Sequence, residues 1–284
     1  MKKWIAYVSI VIHGLLGCTE ADQIVDVADP KPKDAVAVIG TGDMGNSFGP
    51  RLAELGYRVI YGSRNPTSDK VTALVASTGH GASATSQEQA AQQAEVVLLA
   101  LPWPAMETVM QNLGDLEGKI LIDMSYPPID IAEDGYYEIT VETSSAEMIQ
   151  DWNPGAKVVK AFGTLGSNVI DDPSSVGGAV SVPIASDDRE AKEKVAVIAA
   201  ELGLDPIDAG PLRMARTIEA MQILFLVPLL QRRDTSWNFY FRRSNYWNCN
   251  PYVPEGGVFE WPLPADSDNL ADIPETQGPP EPCP

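Results

Sequence analysis

Between Asp34 and Gly210, short apolar runs alternate with longer stretches in which apolar and polar residues are mixed. Short, nearly all-apolar runs are typical of strands buried on both faces of a sheet, and amphipathic stretches are typical of helices. The runs predict strands at Ala35–Ile39, Arg58–Tyr61, Val96–Leu101, Ile120–Asp123, Lys157–Phe162 and Ala179–Ala185. The stretches predict helices at Met44–Leu55, Lys70–Ser77, Ser86–Gln93, Ser144–Trp152 and Asp188–Leu202. This alternation predicts an α/β fold, a doubly wound parallel sheet of the Rossmann type.

The first residues have the parts of a secretory signal peptide. Lys2 and Lys3 form a positive segment, and Trp4–Leu16 is an apolar run shorter than the ~20 residues that cross a bilayer. The run ends at Cys18 in Leu-Leu-Gly-Cys, which resembles the lipobox of bacterial lipoproteins. We therefore expect lipid on Cys18 and export to the periplasmic side of a bacterial membrane, the outer membrane in a diderm. An uncleaved anchor and a misassigned start codon are the alternatives.

Cysteine and histidine are scarce. Lipidation of Cys18 leaves Cys249 and Cys283, which an oxidising compartment would allow to pair, although their spacing leaves the free state equally open. The two histidines, His13 and His80, lie in the signal and in a loop, and no metal-ligand spacing is present. We therefore expect no metal site.

The rest of the chain differs in composition from the strand-and-helix region. A helix is predicted from Leu212 towards Leu230, and its apolar stretch contains Pro228. The last forty residues are acidic and proline-rich without a basic residue, which predicts an irregular tail. The predicted organisation is a signal at 1–17, a tether at 18–34, the Rossmann domain at 35–211, a helical segment at 212–244 and the tail at 245–284.

The formal charge of the chain is −19 at pH 7. Nucleic acids and anionic membrane surfaces attract clustered lysine and arginine, so this balance disfavours both as partners. We expect membrane contact through the lipid anchor alone.

A glycine-rich turn follows the first predicted strand and opens the first predicted helix. Gly40, Gly42 and Gly45 lie in Gly-Thr-Gly-Asp-Met-Gly, which fits the pattern G-x-G-x-x-G in the context that it requires. In that pattern the first glycine permits a tight turn, the second lets the backbone approach a pyrophosphate, and the third allows close helix–strand packing. The pyrophosphate then meets the helix N-terminus, where free N–H groups favour negative charge. The turn predicts a dinucleotide site.

The end of the second strand selects between the two nicotinamide cofactors. NAD-binding domains usually place an acid there for the ribose 2′-hydroxyl. This chain has Ser63 and Arg64 instead, and Lys70 follows. The planar guanidinium of arginine forms paired, charged hydrogen bonds with phosphate. The corner therefore favours NADP(H) over NAD(H).

Several separate motifs, in order, resemble one family. They are Val38–Gly45, Gly62–Pro66, Ala100–Trp103, Val158–Phe162 and Asp208–Leu212 with Ala215-Arg216. The sequence resembles the deazaflavin-dependent NADP reductases between about Ala35 and Leu224, and it is similar also to the nucleotide domain of the six-transmembrane metalloreductases.

The resemblance implies roles for thirteen residues. Thr41, Gly42, Asp43 and Met44 would line the pyrophosphate, within the turn Gly40–Gly45, and Ser63 and Arg64 would hold the 2′-phosphate. Leu101 and Pro102 would border the adenosine and ribose, and Ala161, Phe162 and Gly163 would lie beside the nicotinamide. The family usually has asparagine where this chain has Gly163, so the identity of the second substrate is open.

The resemblance also implies the chemistry. Hydride transfer to a deazaflavin, a flavin or another small acceptor needs alignment and a dry cleft more than a protein acid or base. Lys160 is a candidate orienting residue, although a structural role fits a strand-end lysine better. Asp123 and Tyr126 follow a strand on the ligand side and are candidate substrate contacts.

Two other functions compete with this one. The first is a non-catalytic NADP-binding lipoprotein that acts as a sensor or scaffold, because NADPH is made in the cytoplasm and an exported chain crosses the membrane unfolded. The second is an imino-acid reductase of the pyrroline-carboxylate-reductase type, which would need a substantial helical dimerisation domain. The apolar face of the helix at Leu212–Leu230 predicts a homodimer.

Overall fold

The computed structural model describes residues 33–177, 179–227 and 239–242. The strands are β1 (Ala35–Ile39), β2 (Arg58–Gly62), β3 (Ser83–Thr85), β4 (Val96–Leu99), β5 (Ile120–Asp123), β6 (Ile129–Ile131), β7 (Tyr137–Ile139), β8 (Lys157–Lys160), β9 (Ser181–Ala185) and β10 (Asp205–Gly210). The helices are α1 (Asp43–Glu54), α2 (Asp69–Thr78), α3 (Gln87–Gln92), α4 (Trp103–Met110), α5 (Ser145–Trp152), α6 (Ser167–Asp171), α7 (Arg189–Glu201) and α8 (Ala215–Leu226).

Eight strands form one sheet in the order β10-β9-β8-β5-β4-β1-β2-β3, and β6 pairs with β7 in a separate hairpin. Six neighbouring strands of this sheet, β8-β5-β4-β1-β2-β3, are parallel to one another. This confirms the predicted Rossmann-type sheet. The sheet departs from the predicted parallel pairing at one end only, where β9 pairs antiparallel with β8 and β10 pairs parallel with β9. The ligand-binding edge of such a sheet lies at the carboxyl ends of the parallel strands.

The two faces of the sheet bury separate apolar cores. Along β1, Val36 and Val38 belong to the core that contains α1, α6 and α7, whereas Ala37 and Ile39 belong to the core that contains α3, α4 and α5. Successive side chains of a strand point to opposite faces, so a continuous apolar run is what a doubly covered strand requires.

Helix α8 begins three residues after the start of the helix predicted from Leu212 towards Leu230. A 3-10 turn at Leu212–Met214 precedes it, and its described part ends at Leu226. No helix in the described ranges is long and apolar enough to cross a membrane. The signal, nearly all of the tether, the tail, Cys18, Cys249 and Cys283 lie outside the described residues.

An ion pair joins α8 to α5. The Arg216 guanidinium donates to both carboxylate oxygens of Glu147, at 2.8 and 2.6 Å. Glu147 also closes the start of α5, because the Ser144 hydroxyl accepts from its N–H and donates to its carboxylate. The hydrogen bonds from Arg216 lower the pKa of Glu147 below its ordinary value.

Replacement of Arg216 is expected to change how stability depends on pH. Because the pKa of Glu147 is lower in the folded chain than in the unfolded chain, the pair stabilises the fold above the ordinary glutamate pKa. This contribution is lost as the pH falls through the lowered value. Arg216→Ala should therefore reduce the free energy of unfolding at pH 7 only modestly, since the pair is partly exposed. Urea unfolding at pH 7 and at pH 3 measures the difference, which should be smaller at pH 3. Arg213→Ala, on an exposed neighbouring arginine, is the control, and an equal loss at both pH values would contradict the assignment.

Candidate functional site

The glycine-rich turn at the end of β1 is built on close backbone contacts. Gly40 has φ +116°, and a Cβ at this position would overlap the carbonyl oxygen of Ala100 at the end of β4. A Cβ at Gly45 would overlap the carbonyl oxygen of Gly40. Only glycine tolerates both the backbone conformation and these approaches. The first and third glycines therefore set the spacing between β1, β4 and α1.

The second glycine differs from these two. Gly42 is the N-cap of α1 with φ −85°, and a Cβ there would have no neighbour within 4 Å. The first N–H groups of a helix have no intrahelical partner. Here they belong to Asp43, Met44 and Gly45, while the N–H of Asn46 donates to Gly42 at 2.9 Å. The start of α1 thus presents free donors next to open space, and the Asp43 side chain is exposed.

The corner after β2 is fixed to the glycine turn. The N–H of Gly40 donates to the carbonyl of Gly62 at 3.2 Å, and the N–H of Ser63 donates to that of Thr85 at 3.0 Å. Arg64 is exposed at this corner, two residues beyond the end of the strand. Because the turn and the corner share a hydrogen bond, a ligand that touches both meets them at a fixed separation.

The residues after β4 border the same edge of the sheet. Leu101 is partly buried, and its Cδ2 would lie 3.3 Å from a Cβ at Gly40. Pro102 is exposed and is the N-cap of α4. Trp103 then stacks on Trp152 of α5, with 5.6 Å between ring centroids. The structure therefore places Leu101 and Pro102 beside the glycine turn.

The predicted strand Lys157–Phe162 ends at Lys160, because the backbone turns sharply at Phe162. Phe162 has φ +64°, which is a strained conformation for a bulky residue. Its ring packs edge-on against Phe48 of α1, with 5.1 Å between centroids. Ala161, Phe162 and Gly163 are all buried. The side chains of Ala161 and Phe162 face the core and Gly163 has none, so only the backbone of these residues can border a ligand at this edge.

A buried cluster of charges lies at the ends of β5 and β8. The ammonium of Lys160 is 2.9 Å from Asp123, 2.9 Å from Glu219, 2.9 Å from the Ser145 hydroxyl and 2.7 Å from the Ser125 carbonyl. The Asp123 carboxylate also accepts from the N–H and hydroxyl of Ser125 and from the Ser145 hydroxyl. The N–H of Ser145 donates to both oxygens of Glu219, and its hydroxyl lies 2.5 Å from one of them. Both carboxylates and the ammonium are fully buried.

This cluster decides the roles of two candidates. Lys160 and Asp123 have no exposed surface, and their charged atoms are already paired within the cluster, so neither offers a free contact to a substrate. The expectation of a substrate contact at Asp123 is therefore not supported, and a structural role for Lys160 is. Tyr126 is only partly buried, and burial raises the pKa of its hydroxyl to about 12. It remains a neutral phenol near the site.

The motifs gave no indication of Glu219, Ser145 or Gln222. A signal for Glu219 and Gln222 was available, because both lie at helical spacing on the same face of α8 as the apolar residues Ala215, Ile218 and Leu226. A carboxylate and a carboxamide on an apolar stripe require buried partners. Nothing in the sequence identified those partners.

Comparisons with known proteins agree with this geometry. Residues 35–127 match the family model described as NADP oxidoreductase, coenzyme F420-dependent. The F420-dependent NADP reductase of Methanothermobacter marburgensis is 30% identical over 208 residues, which are 67% of this chain and 90% of the relative. The chain belongs to this family of F420-dependent NADP oxidoreductases. The resemblance inferred from the motifs is thereby confirmed.

Other relatives extend the family picture. A structure described as an F420-dependent NADP reductase of Arthrobacter sp. FB24 aligns with TM-score 0.66 and 29% identity, over 74% of this chain and all of that one. The rat metalloreductase STEAP3 is 32% identical over 82% of this chain. The chain spans about half or less of the length of the metalloreductases that it matches. An imine reductase of Myxococcus stipitatus, at 16% identity and TM-score 0.53, shares the fold alone.

Removal of the buried ammonium of Lys160 should reduce the free energy of unfolding far more than removal of the partly exposed ammonium of Lys157 on the same strand. Lys160→Met leaves two carboxylates buried without their counter-ion, and we expect the free energy of unfolding to fall by about 3–5 kcal/mol. Lys157→Met is the matched control, because its ammonium pairs with Asp188 at 3.1 Å in contact with water. Chemical denaturation of both variants measures the difference. Equal losses would show that the buried cluster does not hold the sheet edge.

Proposed function

We propose that this protein transfers hydride between NADP(H) and a deazaflavin, a flavin or another small redox acceptor. The observation that carries the proposal is the shared hydrogen bond between Gly40 and Gly62, which couples a glycine-rich helix N-terminus to an exposed arginine corner. A pyrophosphate and a 2′-phosphate are separated by a fixed ribose, so the two sites must be held together to select NADP(H). The relatives above that are F420-dependent NADP reductases support the cofactor and the deazaflavin.

The residues fit the cofactor at both phosphate positions. At Gly42 nothing in the chain lies within 4 Å of a hypothetical Cβ, so a pyrophosphate can approach the free donors of α1. At the corner, Arg64 replaces the acid that would repel a 2′-phosphate, and Ser63 supplies a hydroxyl. Lys70 is exposed in the first turn of α2 and adds a positive charge. Asp43 is the one acid at the turn, and its exposed side chain can stay in water.

The nicotinamide supplies the hydride chemistry, and the chain supplies position and shelter. The backbone at Ala161–Gly163 lies at the carboxyl end of β8, on the same edge of the sheet as the glycine turn. The strained Phe162 fixes this backbone against α1. Burial of these residues keeps water from the place where the reacting rings would meet, which favours hydride transfer over side reactions.

A non-catalytic role as an NADP-binding sensor or scaffold is the second candidate. The burial of Ala161–Gly163 favours this role. The Gln222 carboxamide occupies the space beside Gly163 and leaves less room for an acceptor ring next to the nicotinamide. The two candidates share the cofactor and differ in turnover.

Assembly and location are further parts of the proposal. We propose a homodimer that uses α8, where Leu224 is exposed, and a lipid anchor at Cys18 on the periplasmic side of a bacterial membrane. Light scattering on the purified protein tests the first, and mass spectrometry of the N-terminal peptide tests the second. The acidic charge disfavours nucleic acid as a partner.

Loss of Arg64 should weaken NADPH binding selectively. Hydrogen bonds to charged groups contribute about 1.5–3 kcal/mol, so Arg64→Ala should raise the Kd for NADPH about 10- to 100-fold and leave that for NADH nearly unchanged. Nicotinamide fluorescence and calorimetry measure both. Arg58→Ala is the control, because Arg58 lies exposed at the opposite end of β2. Tighter binding of NADH than of NADPH by the unaltered protein would overturn the cofactor assignment.

Turnover distinguishes the reductase from the sensor. With coenzyme F420 as acceptor, the absorbance of NADPH at 340 nm and the absorbance of the oxidised deazaflavin should both fall, and equal molar amounts of the two should be consumed. Flavins should be tested as acceptors in parallel. Gly42→Ala is the control, because its Cβ would meet no neighbour in the chain but would occupy the place where the pyrophosphate approaches. We expect this variant to fold normally and to lose both binding and turnover. Tight NADPH binding without oxidation by any acceptor would favour the sensor.

A further inference from the structure

Two buried polar atoms without a hydrogen-bond partner flank Gly163. Among the described residues, three buried side-chain atoms lack a partner, namely Arg51 Nε, Thr164 Oγ1 and Gln222 Oε1. Thr164 follows Gly163 in the chain, and the Gln222 amide lies so close that it would overlap a Cβ at Gly163. Buried polar groups in proteins are nearly always paired, because an unpaired one loses its bonds to water without compensation. Two such atoms at one position indicate a ligand.

The orientation of the Gln222 amide follows from its neighbours. Its Nε2 donates to the Ser125 carbonyl at 3.3 Å, and that carbonyl also accepts from Lys160 at 2.7 Å. A carbonyl oxygen only accepts, so the nitrogen of the amide must face it, and the amide oxygen is directed elsewhere. Gln222 Oε1 is therefore a buried acceptor without a donor. The Thr164 hydroxyl carries a proton that it can donate.

Together, the acceptor of Gln222 and the donor of Thr164 are the complement of a primary carboxamide. The NH₂ group of such a ligand would donate to Gln222 Oε1, and its carbonyl would accept from Thr164 Oγ1. Both residues lie where β8 has ended, at the sheet edge proposed for the nicotinamide. The nicotinamide ring carries one group of this kind.

We propose that Gln222 and Thr164 bind the carboxamide of the nicotinamide ring and fix which face of the ring meets the acceptor. The proposal rests on the proposed function, since it requires NADP(H) at this edge. Gly163 is part of the arrangement, because any side chain there would occupy the position of the Gln222 amide. Both unpaired atoms are shielded from solvent, so a ligand reaches them only when the side chains that cover them rotate.

Three ligands separate this site from the rest of the cofactor site. They are NADP⁺, its 3-acetylpyridine analogue, which has a methyl group in place of the amide nitrogen, and adenosine 2′,5′-bisphosphate, which lacks the nicotinamide. Gln222→Met preserves the length of the side chain and removes the acceptor, and Thr164→Val preserves the shape and removes the hydroxyl. Thr217→Val, on the exposed side of α8, is the matched control. Calorimetry on the full chain gives each Kd.

Gln222→Met should raise the Kd for NADP⁺ about 10-fold and leave the Kd values for the acetylpyridine analogue and the bisphosphate unchanged. Thr164→Val should weaken both nicotinamide-type ligands and spare the bisphosphate, and the control should bind all three normally. An equal effect of Gln222→Met on all three ligands, or none on NADP⁺, would overturn the proposal.

The unaltered protein provides a test that does not depend on the folding of variants. It should bind NADP⁺ about 10-fold more tightly than the acetylpyridine analogue, and equal affinities would overturn the proposal. Failure of the unaltered protein to bind either NADP⁺ or the bisphosphate would instead overturn the proposed function, and this inference with it. Binding of the bisphosphate without any gain from the nicotinamide would overturn the inference alone.

Discussion

The buried ammonium of Lys160 is the constraint on which one end of the site depends. It joins residues from four elements, because Asp123 ends β5, Lys160 ends β8, Ser145 opens α5 and Glu219 lies in α8. Transfer of charges from water into a protein interior is costly and is repaid only by close, fully hydrogen-bonded partners. The cluster meets that condition through the hydroxyls and N–H groups of Ser125 and Ser145. The position of α8 at the sheet edge is a consequence of it.

The other end of the site depends on backbone contact. Gly40 and Gly45 allow strands and helix to approach to a distance that no side chain permits, and Gly42 leaves the start of α1 open. These contacts need only glycine at fixed positions in one stretch of chain. The phosphate end is consequently determined locally, whereas the buried cluster is assembled from residues that lie far apart in sequence.

This difference explains what the sequence could and could not predict. The apolar runs located β1, β4 and β5 within two residues. The helix predicted from Ser86 is α3, whose N-cap is Ser86, and the Ser86 hydroxyl accepts from the Gln89 N–H. The short strand β3 and the hairpin β6–β7 were missed, because none of these three-residue strands contains an apolar run long enough to predict a strand. Edge strand β10 was missed because Pro206 and two aspartates interrupt it. The direction of β9 depends on packing after β8, which no local pattern encodes.

The same difference explains why family membership supports a cofactor more strongly than an acceptor. The matched family model covers residues 35–127, which contain the glycine turn, the arginine corner and the residues after β4. Lys160, Gly163, Glu219 and Gln222 all lie beyond that range. At the end of the site near Gly163, buried polar groups take the place of apolar side chains, which would pack with a lower desolvation cost. Proteins accept such a loss of stability chiefly at functional sites. The proposed acceptor therefore depends on residues beyond the matched range, where the Gln222 amide against Gly163 is the most direct departure from an apolar core.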